Sequence, residues 1–433
     1  MTFKRYISHP FILVLTLVCA VFVTSCSDDT DDDGRWLPES KEHTAATLEL
    51  MKICDENAEV RQLLEHAIRQ AAAINPDRKY NPAQTLDEFF DFIDWNVRSL
   101  PWDVMSGVTA DKASIYSRTD QGVGYFWFVV DQPLDELRDR GYFYPTVEFV
   151  EPFASWLTTY SQSWGSWLST EASWNDTYYN MVANDPDWGF TQGWYGNVNK
   201  WRTFNEFFAR ELVSPDVRPI DTHAEVVAPV DSWPKATWHI DENNQLEYPN
   251  DINIKTAKLS DIGQLIGSDS EYRDAFAGGT LTHTFLDVND YHRYHAPVDG
   301  KLLELRTIPG VAAGGGYTLW DNESKRYYYV NDMGFQMVET RACAIIETED
   351  YGLVAMLPVG MSQICSVNWV STLHVGQQLK RGDEMGFFMF GGSDVIMIFQ
   401  KGVGVELLTT PDGEGGYEHI LMGQAYAKLT SAN

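Results

Sequence analysis

The segment Asp290-Tyr291-His292-Arg293-Tyr294-His295-Ala296-Pro297-Val298-Asp299-Gly300 sets two histidines three residues apart beside a Pro and Gly turn. Imidazole is the side chain whose ordinary pKa suits proton transfer near neutrality, so His292 and His295 offer general acid and base chemistry. By itself the pair also fits half of a metal site, or two structural histidines. A second segment, Gly382-Asp383-Glu384-Met385-Gly386-Phe387-Phe388-Met389-Phe390-Gly391-Gly392-Ser393, leads straight into the apolar run Val395 to Phe399. A serine behind two glycines has an accessible backbone carbonyl beside it, and its hydroxyl attacks that carbonyl if a base removes the proton. The bland alternative is a glycine-rich turn.

Such residues need elements to hold them. From about His43 to Trp201 the pattern is mostly helical. Val60, Leu63, Leu64, Ala67 and Ile68 recur at i, i+3, i+4, i+7 and i+8, and Leu86, Phe89, Phe90 and Ile93 repeat that stripe behind Thr85, with Glu88 completing a capping box. Seven tryptophans lie between Trp156 and Trp201; they could line a groove for sugars or aromatic amines, but indole is foremost a large core side chain. After about Pro215 the texture changes to short apolar runs broken by Gly, Pro, Asn and Asp: Leu302 to Ile308, Tyr327 to Val330, Ala342 to Ile346, Leu353 to Leu357 and Val395 to Phe399. These are strand signals. The expected class is α+β, a helical domain over residues 43–201 followed by a β-rich domain over 202–433 that carries the chemistry.

The chain has 433 residues, 44% apolar and 13% aromatic, ample for a buried core and two or three domains. Its 62 acidic residues against 32 Lys and Arg give a formal charge of −30, which repels nucleic acid and argues against a polybasic membrane patch. Lys4 and Arg5 precede an apolar run from Phe11 to Val23, short for a membrane span but suited to a signal peptide over residues 1–25. The run ends in Val23-Thr24-Ser25-Cys26, which resembles a bacterial lipobox, so Cys26 is the expected lipidation site; the alternative is an ordinary secretory signal. The acidic run Ser27 to Gly34 reads as part of a solvated tether over 26–42 and resembles the export signal that sends some Gram-negative lipoproteins to the cell surface. The expectation is an exported lipoprotein anchored in the outer membrane or at the cell surface. Cys54, Cys343 and Cys365 then remain, an odd number with no CxxC spacing, so neither a disulfide framework nor a metal site is expected.

In chain order, Phe207-Phe208-Ala209-Arg210-Glu211-Leu212 with Arg218-Pro219-Ile220, Ala228-Pro229-Val230-Asp231, the YHRYHAPVDG stretch, Glu339-Thr340-Arg341, Pro358-Val359-Gly360-Met361 and the FGGS site resemble the phosphatidylserine decarboxylase family of pyruvoyl enzymes. The long helical extension and the Phe204-Asn205-Glu206-Phe207-Phe208 entry are similar to its soluble, tryptophan-decarboxylase-like branch. The resemblance implies that Ser393 attacks the Gly392 carbonyl, that the chain breaks between them, and that the serine becomes a pyruvoyl group acting without pyridoxal phosphate. It further implies that His295 deprotonates Ser393, that Asp231 orients His295, and that His292 protonates the carbanion left by CO₂. The substrate is then phosphatidylserine, giving phosphatidylethanolamine, or a free, possibly aromatic, L-amino acid bound as a Schiff base.

Two positions depart from the family pattern. Asp394 follows the serine where Thr or Ser is common, and its carboxylate would disfavour a developing oxyanion unless it points away or is neutralised. Asp231-Ser232 replaces the usual Asp-Gly, which matters only if that turn needs a positive φ. Two other classes compete: a surface lipoprotein that binds glycans or aromatic ligands without processing, and a hydrolase using Ser393, His295 and Asp231, which would lack a GxSxG elbow.

Overall fold

The computed structural model describes residues 35–109, 114–142, 144–196, 201–247, 261–312, 316–331, 338–361, 366–413 and 416–431. The leader, Cys26, the acidic run to Gly34 and Cys365 lie outside the described residues.

The helical half is built as its spacing predicts. Helices span Ala45–Glu56, Ala58–Ile74, Leu86–Asn96, Ile115–Val130 and Phe153–Leu168, and the stripe Val60, Leu63, Leu64, Ala67, Ile68 is buried. Side-chain caps start them: Asn57 accepts from the N–H groups of Glu59 and Val60, and Thr85 from that of Glu88. The Glu88 carboxylate reaches back to the Gln84 N–H, one residue before the position a strict capping box uses. Trp156, Trp164 and Trp188 are fully buried, Trp174 nearly so, and Trp167 and Trp201 pack on the same core. Two indoles donate to backbone carbonyls, Trp156 to Ala46 and Trp164 to Ser99, both at 2.8 Å. These tryptophans are core, as their size suggests.

The β half is organised by a seven-stranded antiparallel sheet in the order Gln378–Leu379, Gly300–Ile308, Thr340–Glu347, Leu353–Met361, Gly392–Phe399, Thr280–Leu286 and Trp233–His239. The strand that starts at Gly392 is interior and covered on both faces. Val395, Met397 and Phe399 join one apolar cluster and Ile396 and Ile398 another, because successive side chains in a strand alternate. Double burial explains why its sequence is a continuous apolar run. A three-stranded sheet pairs Arg293–His295 with Glu384–Phe387, which in turn pairs with Asn368–Trp369. The α+β class follows directly.

The two halves share a core. Tyr327 of the hairpin Gly316–Asp321/Arg326–Asn331, Ala312, and Phe390 just before the GGS segment belong to the same apolar cluster as the helices. Phe390 lies edge-on to Trp164 at 5.3 Å, so the helical half packs directly against the segment that leads into Ser393. Cys54 and Cys343 are free and buried. Among the described residues no helix is long and apolar enough to cross a membrane.

Candidate active site

Ser393 sits at the start of its strand, paired with Gly360 on one side and Leu286 on the other. It is fully buried, and its Oγ has no hydrogen-bond partner among the described residues. Buried hydroxyls are ordinarily satisfied, so an orphaned one is a chemical feature to be explained. Gly391, two residues before the serine, holds φ at 152°, a setting that side chains with a Cβ rarely adopt.

The two histidines are three apart in a segment that becomes extended, so their rings find different surroundings. His292 is fully buried, with its ring 4.0 Å from that of Phe208. Its Nδ1 lies 2.9 Å from the Asp290 carbonyl. A carbonyl only accepts, so Nδ1 carries the hydrogen and Nε2 presents a lone pair; that Nε2 has no partner among the described residues. Burial, and then the Arg210 guanidinium, push the His292 pKa down to about 3, so the ring is neutral. His295 is held likewise: Nδ1 donates to the Gly382 carbonyl at 2.8 Å, and Nε2 accepts from the Tyr291 hydroxyl at 3.2 Å. Burial lowers its pKa, while the Gly382 carbonyl and the carboxylates of Glu384 and Asp231 act in the opposite direction. His295 lines a cavity of about 670 Å³ together with Tyr291, Arg218 and Met422.

Asp231 makes its hydrogen bonds elsewhere than His295. Its carboxylate takes a bidentate pair from Arg218, at 2.7 and 3.1 Å, and the N–H of Met422 at 2.7 Å. Both members of the ion pair are almost wholly buried, and the guanidinium stacks over Trp194 at 4.0 Å. Asp231 thus reaches His295 through its charge. Ser232 is absent from the described non-glycine residues with positive φ, so the lost glycine costs this turn nothing. Its hydroxyl accepts from Thr284 at 2.6 Å.

Asp394 answers the concern its identity raises. It follows Ser393 in a strand and therefore faces the other side of the sheet, where an oxygen of its carboxylate lies 2.9 Å from His283 Nε2. The carboxylate points away from the serine and has an imidazole partner.

Several residues that position this site carry no role in the sequence reading. Arg210 is buried and donates to the carbonyls of Asn289 and Asp290, the latter being the carbonyl that fixes the His292 tautomer. His419 lies 2.8 Å from the Asp290 carboxylate; burial raises the Asp290 pKa to about 6, with His419 opposing it. Arg341 binds the carbonyls of Leu265, Gln264 and Glu339. Glu339 is fully buried, with neither carboxylate oxygen partnered among the described residues; burial, then Asp394 and Glu148, drive its pKa far up. Arg210, Arg341 and Glu339 were visible as members of the segments that carry the family resemblance, whereas His283 and His419 had no local signal. Among the described residues no group of three or more His, Cys, Asp or Glu is arranged to hold a metal ion.

The sequence model of the family described as phosphatidylserine decarboxylase matches residues 204–428. The chain is 32% identical over 211 residues to a phosphatidylserine decarboxylase proenzyme of Ruminiclostridium cellulolyticum, covering 47% of this chain and 62% of that protein. It is 34% identical over 216 residues to phosphatidylserine decarboxylase proenzyme 2 of Oryza sativa subsp. japonica, covering 47% of this chain and 30% of that protein. The match thus spans less than two thirds of the length of either relative. Against decarboxylase iboD of Amanita muscaria it is 28% identical over 298 residues, 62% of this chain and 77% of that protein, a span that reaches into the helical half. The matched motifs enclose Ser393, both histidines and Asp231, and this chain belongs to the phosphatidylserine decarboxylase family.

Proposed function

We propose that this chain cleaves itself between Gly392 and Ser393 and then acts as a pyruvoyl-dependent decarboxylase of α-amino acid groups. The observation that supports this best is the buried, unpartnered Ser393 hydroxyl behind Gly391 and Gly392. In the cleavage, Ser393 Oγ bonds to the Gly392 carbonyl carbon while the C–N bond of that peptide breaks, giving an ester and a free amine. Elimination expels the Gly392 carboxylate and leaves dehydroalanine at position 393, which water converts to a ketone with loss of ammonia. The ketone then supplies an electron sink for carboxylate loss.

The chain's own residues move the protons. His295 Nε2 takes the proton from Ser393 Oγ once the Tyr291 hydroxyl yields that lone pair, and the Asp231 charge favours the imidazolium. His292 starts neutral with Nε2 empty, so it returns only a proton it has first received. A substrate ammonium must shed one, and we assign Nε2 of His292 to hold it and deliver it to the carbon that loses CO₂. A hydrolase would need its serine open to substrate, and Ser393 is buried.

The names of the phosphatidylserine decarboxylase proenzymes point to the serine headgroup of phosphatidylserine; a free amino acid presents the same ammonium and carboxylate. Mass spectrometry of the purified protein should show a fragment comprising residues 393–433 with a keto-blocked N-terminus, absent in Ser393→Ala. A chain that stays intact after long incubation at neutral pH overturns the reading. CO₂ release from phosphatidylserine vesicles against free aromatic amino acids then decides the substrate. We further propose that Cys26 is lipidated and anchors the exported protein, which fatty-acid labelling lost in Cys26→Ser would test.

A further inference from the structure

The hairpin Gly316–Asp321/Arg326–Asn331 is a two-stranded sheet, with no third strand paired to it among the described residues. One of its faces belongs to the fold: Thr318 and Tyr327 are buried, and Trp320 and Tyr329 pack on the core of the helical half. Strand alternation turns the remaining side chains outward, where an antiparallel sheet with one wet face ordinarily carries polar residues. Here those positions hold Leu319 opposite Tyr328, and Val330 opposite Tyr317. Leu319 is 40% exposed, Val330 42% and Tyr328 47%. Ile74, at the end of the helix Ala58–Ile74 and 49% exposed, edges the same cavity as Leu319 and Tyr328, so the apolar surface runs on from hairpin to helix. Such a patch on a chain with a formal charge of −30 marks a contact surface.

The described chain begins beside this patch. The Trp36 indole donates to the Lys79 carbonyl at 2.9 Å, and the ring of the next residue, Tyr80, lies 5.2 Å from that of Trp320. Cys26, where the lipid anchor is proposed, precedes Arg35 by nine residues, which reach at most about 30 Å when fully extended. A lipid on Cys26 therefore keeps this side of the molecule within a short tether of a bilayer. The border of the patch is cationic, with the exposed Lys79 ammonium 5.7 Å from the Tyr80 ring and the exposed Lys325 ammonium 6.0 Å from that of Trp320. Of the acids at the hairpin turn, Asp321 accepts from the N–H groups of Glu323 and Ser324, and Glu323 is exposed. Apolar side chains bordered by lysines suit the acyl boundary and the anionic headgroups of a membrane surface.

We infer that the outer face of this hairpin, continued by Ile74, is the surface on which the protein rests on a lipid bilayer. The inference depends on the anchor proposed at Cys26 and not on the pyruvoyl chemistry. Side chains seated in the interfacial region add to the hold of the anchor and fix which side of the molecule faces the lipid.

The test uses the full chain, expressed with its lipid and reconstituted in vesicles of phosphatidylcholine and phosphatidylglycerol, which decarboxylation leaves unaltered. An environment-sensitive fluorophore is attached in Leu319→Cys, in Tyr328→Cys and in Val375→Cys, the last an exposed apolar position in the β half, and each spectrum is read against the parent chain treated alike. The labels of Leu319→Cys and Tyr328→Cys should shift to the blue on vesicles and be quenched by lipids carrying a nitroxide near the headgroup, while that of Val375→Cys does neither. Water-like spectra at both hairpin positions of a vesicle-bound chain overturn the inference and leave the anchor standing. A blue shift without quenching would put a second copy of the chain, not lipid, on this face and also overturns it. A chain that carries no fatty acid on Cys26 and does not stay with the vesicles removes the anchor, and the inference with it.

Discussion

Two buried carboxyl groups in this molecule are treated in opposite ways. Asp94, among the helices, is almost wholly buried yet receives the Thr44 N–H, the Thr47 hydroxyl and His43. Burial alone would raise its pKa, but these bonds outweigh it and the group titrates below its ordinary range. Glu339, at the sheet, is just as buried and has no partner on either oxygen among the described residues, so its pKa is driven far up. One carboxylate stores stability in fully made hydrogen bonds, while the other is held in a state that structure alone would not favour. The same divide separates the satisfied side chains around Asp94 from Ser393 Oγ and His292 Nε2. At Ser393 Oγ and His292 Nε2 the unsatisfied atoms lie where chemistry is proposed.

The sharpest way to break this contrast is through the histidines. His295→Ala should slow appearance of the 393–433 fragment by about a hundredfold or more, as loss of a general base does. His292→Ala should cleave at the parental rate yet lose CO₂ release by a similar factor. Time courses by mass spectrometry would show equal cleavage in both if the roles are misassigned.

Asp94→Ala should cost about 2–4 kcal/mol of stability in denaturant titration, because it strands three donors, while leaving cleavage untouched below the melting transition. A variant as stable as the parent would dissolve the comparison from its other side.

Asp290 supplies a pH test. Its folded pKa of about 6 exceeds the unfolded carboxylate value, so the native chain binds more protons than the unfolded one between about pH 4 and 6. Stability from this group is present below the unfolded pKa and is lost as pH rises through the folded one. The parent should therefore lose at most about 3 kcal/mol relative to Asp290→Asn across that window. Parallel curves would refute it.

The smallest effect concerns Asp394. Sequence proximity alone leads to the expectation that Asp394→Thr speeds cleavage by removing a charge from the oxyanion. The structure turns that carboxylate to the opposite face beside His283. The substitution should leave the cleavage rate essentially unchanged and cost about 1 kcal/mol of stability as His283 loses its partner. A marked acceleration would restore the sequence-based view.

Much of the fold is legible because its causes are local. The stripe Val60 to Ile68 and the caps at Asn57 and Thr85 depend on neighbours within a few residues, and the runs at 302–308, 342–346, 353–357 and 395–399 became strands. Thr280–Leu286 and Trp233–His239 escaped notice, since Thr282, His283 and Thr284 break the apolar signal although all three are buried. In the site, Ser393, His292, His295 and Asp231 take roles from motifs and Arg218 stands in a motif without a role, while His283 and His419 have no local signal.

The sequence by itself determined which atoms are available for chemistry: a serine behind two glycines, two imidazoles and a carboxylate in ordered motifs. Only the tertiary structure decided their protonation and partners. A tautomer is set by a carbonyl on another segment, as Gly382 does for His295; an ion pair by an arginine brought alongside, as Arg218 does for Asp231; and a charge is removed from a reaction by strand alternation, as for Asp394. The first two join residues distant in sequence, which no local pattern encodes, and the third follows from alternation once the segment from Gly392 is paired as a strand.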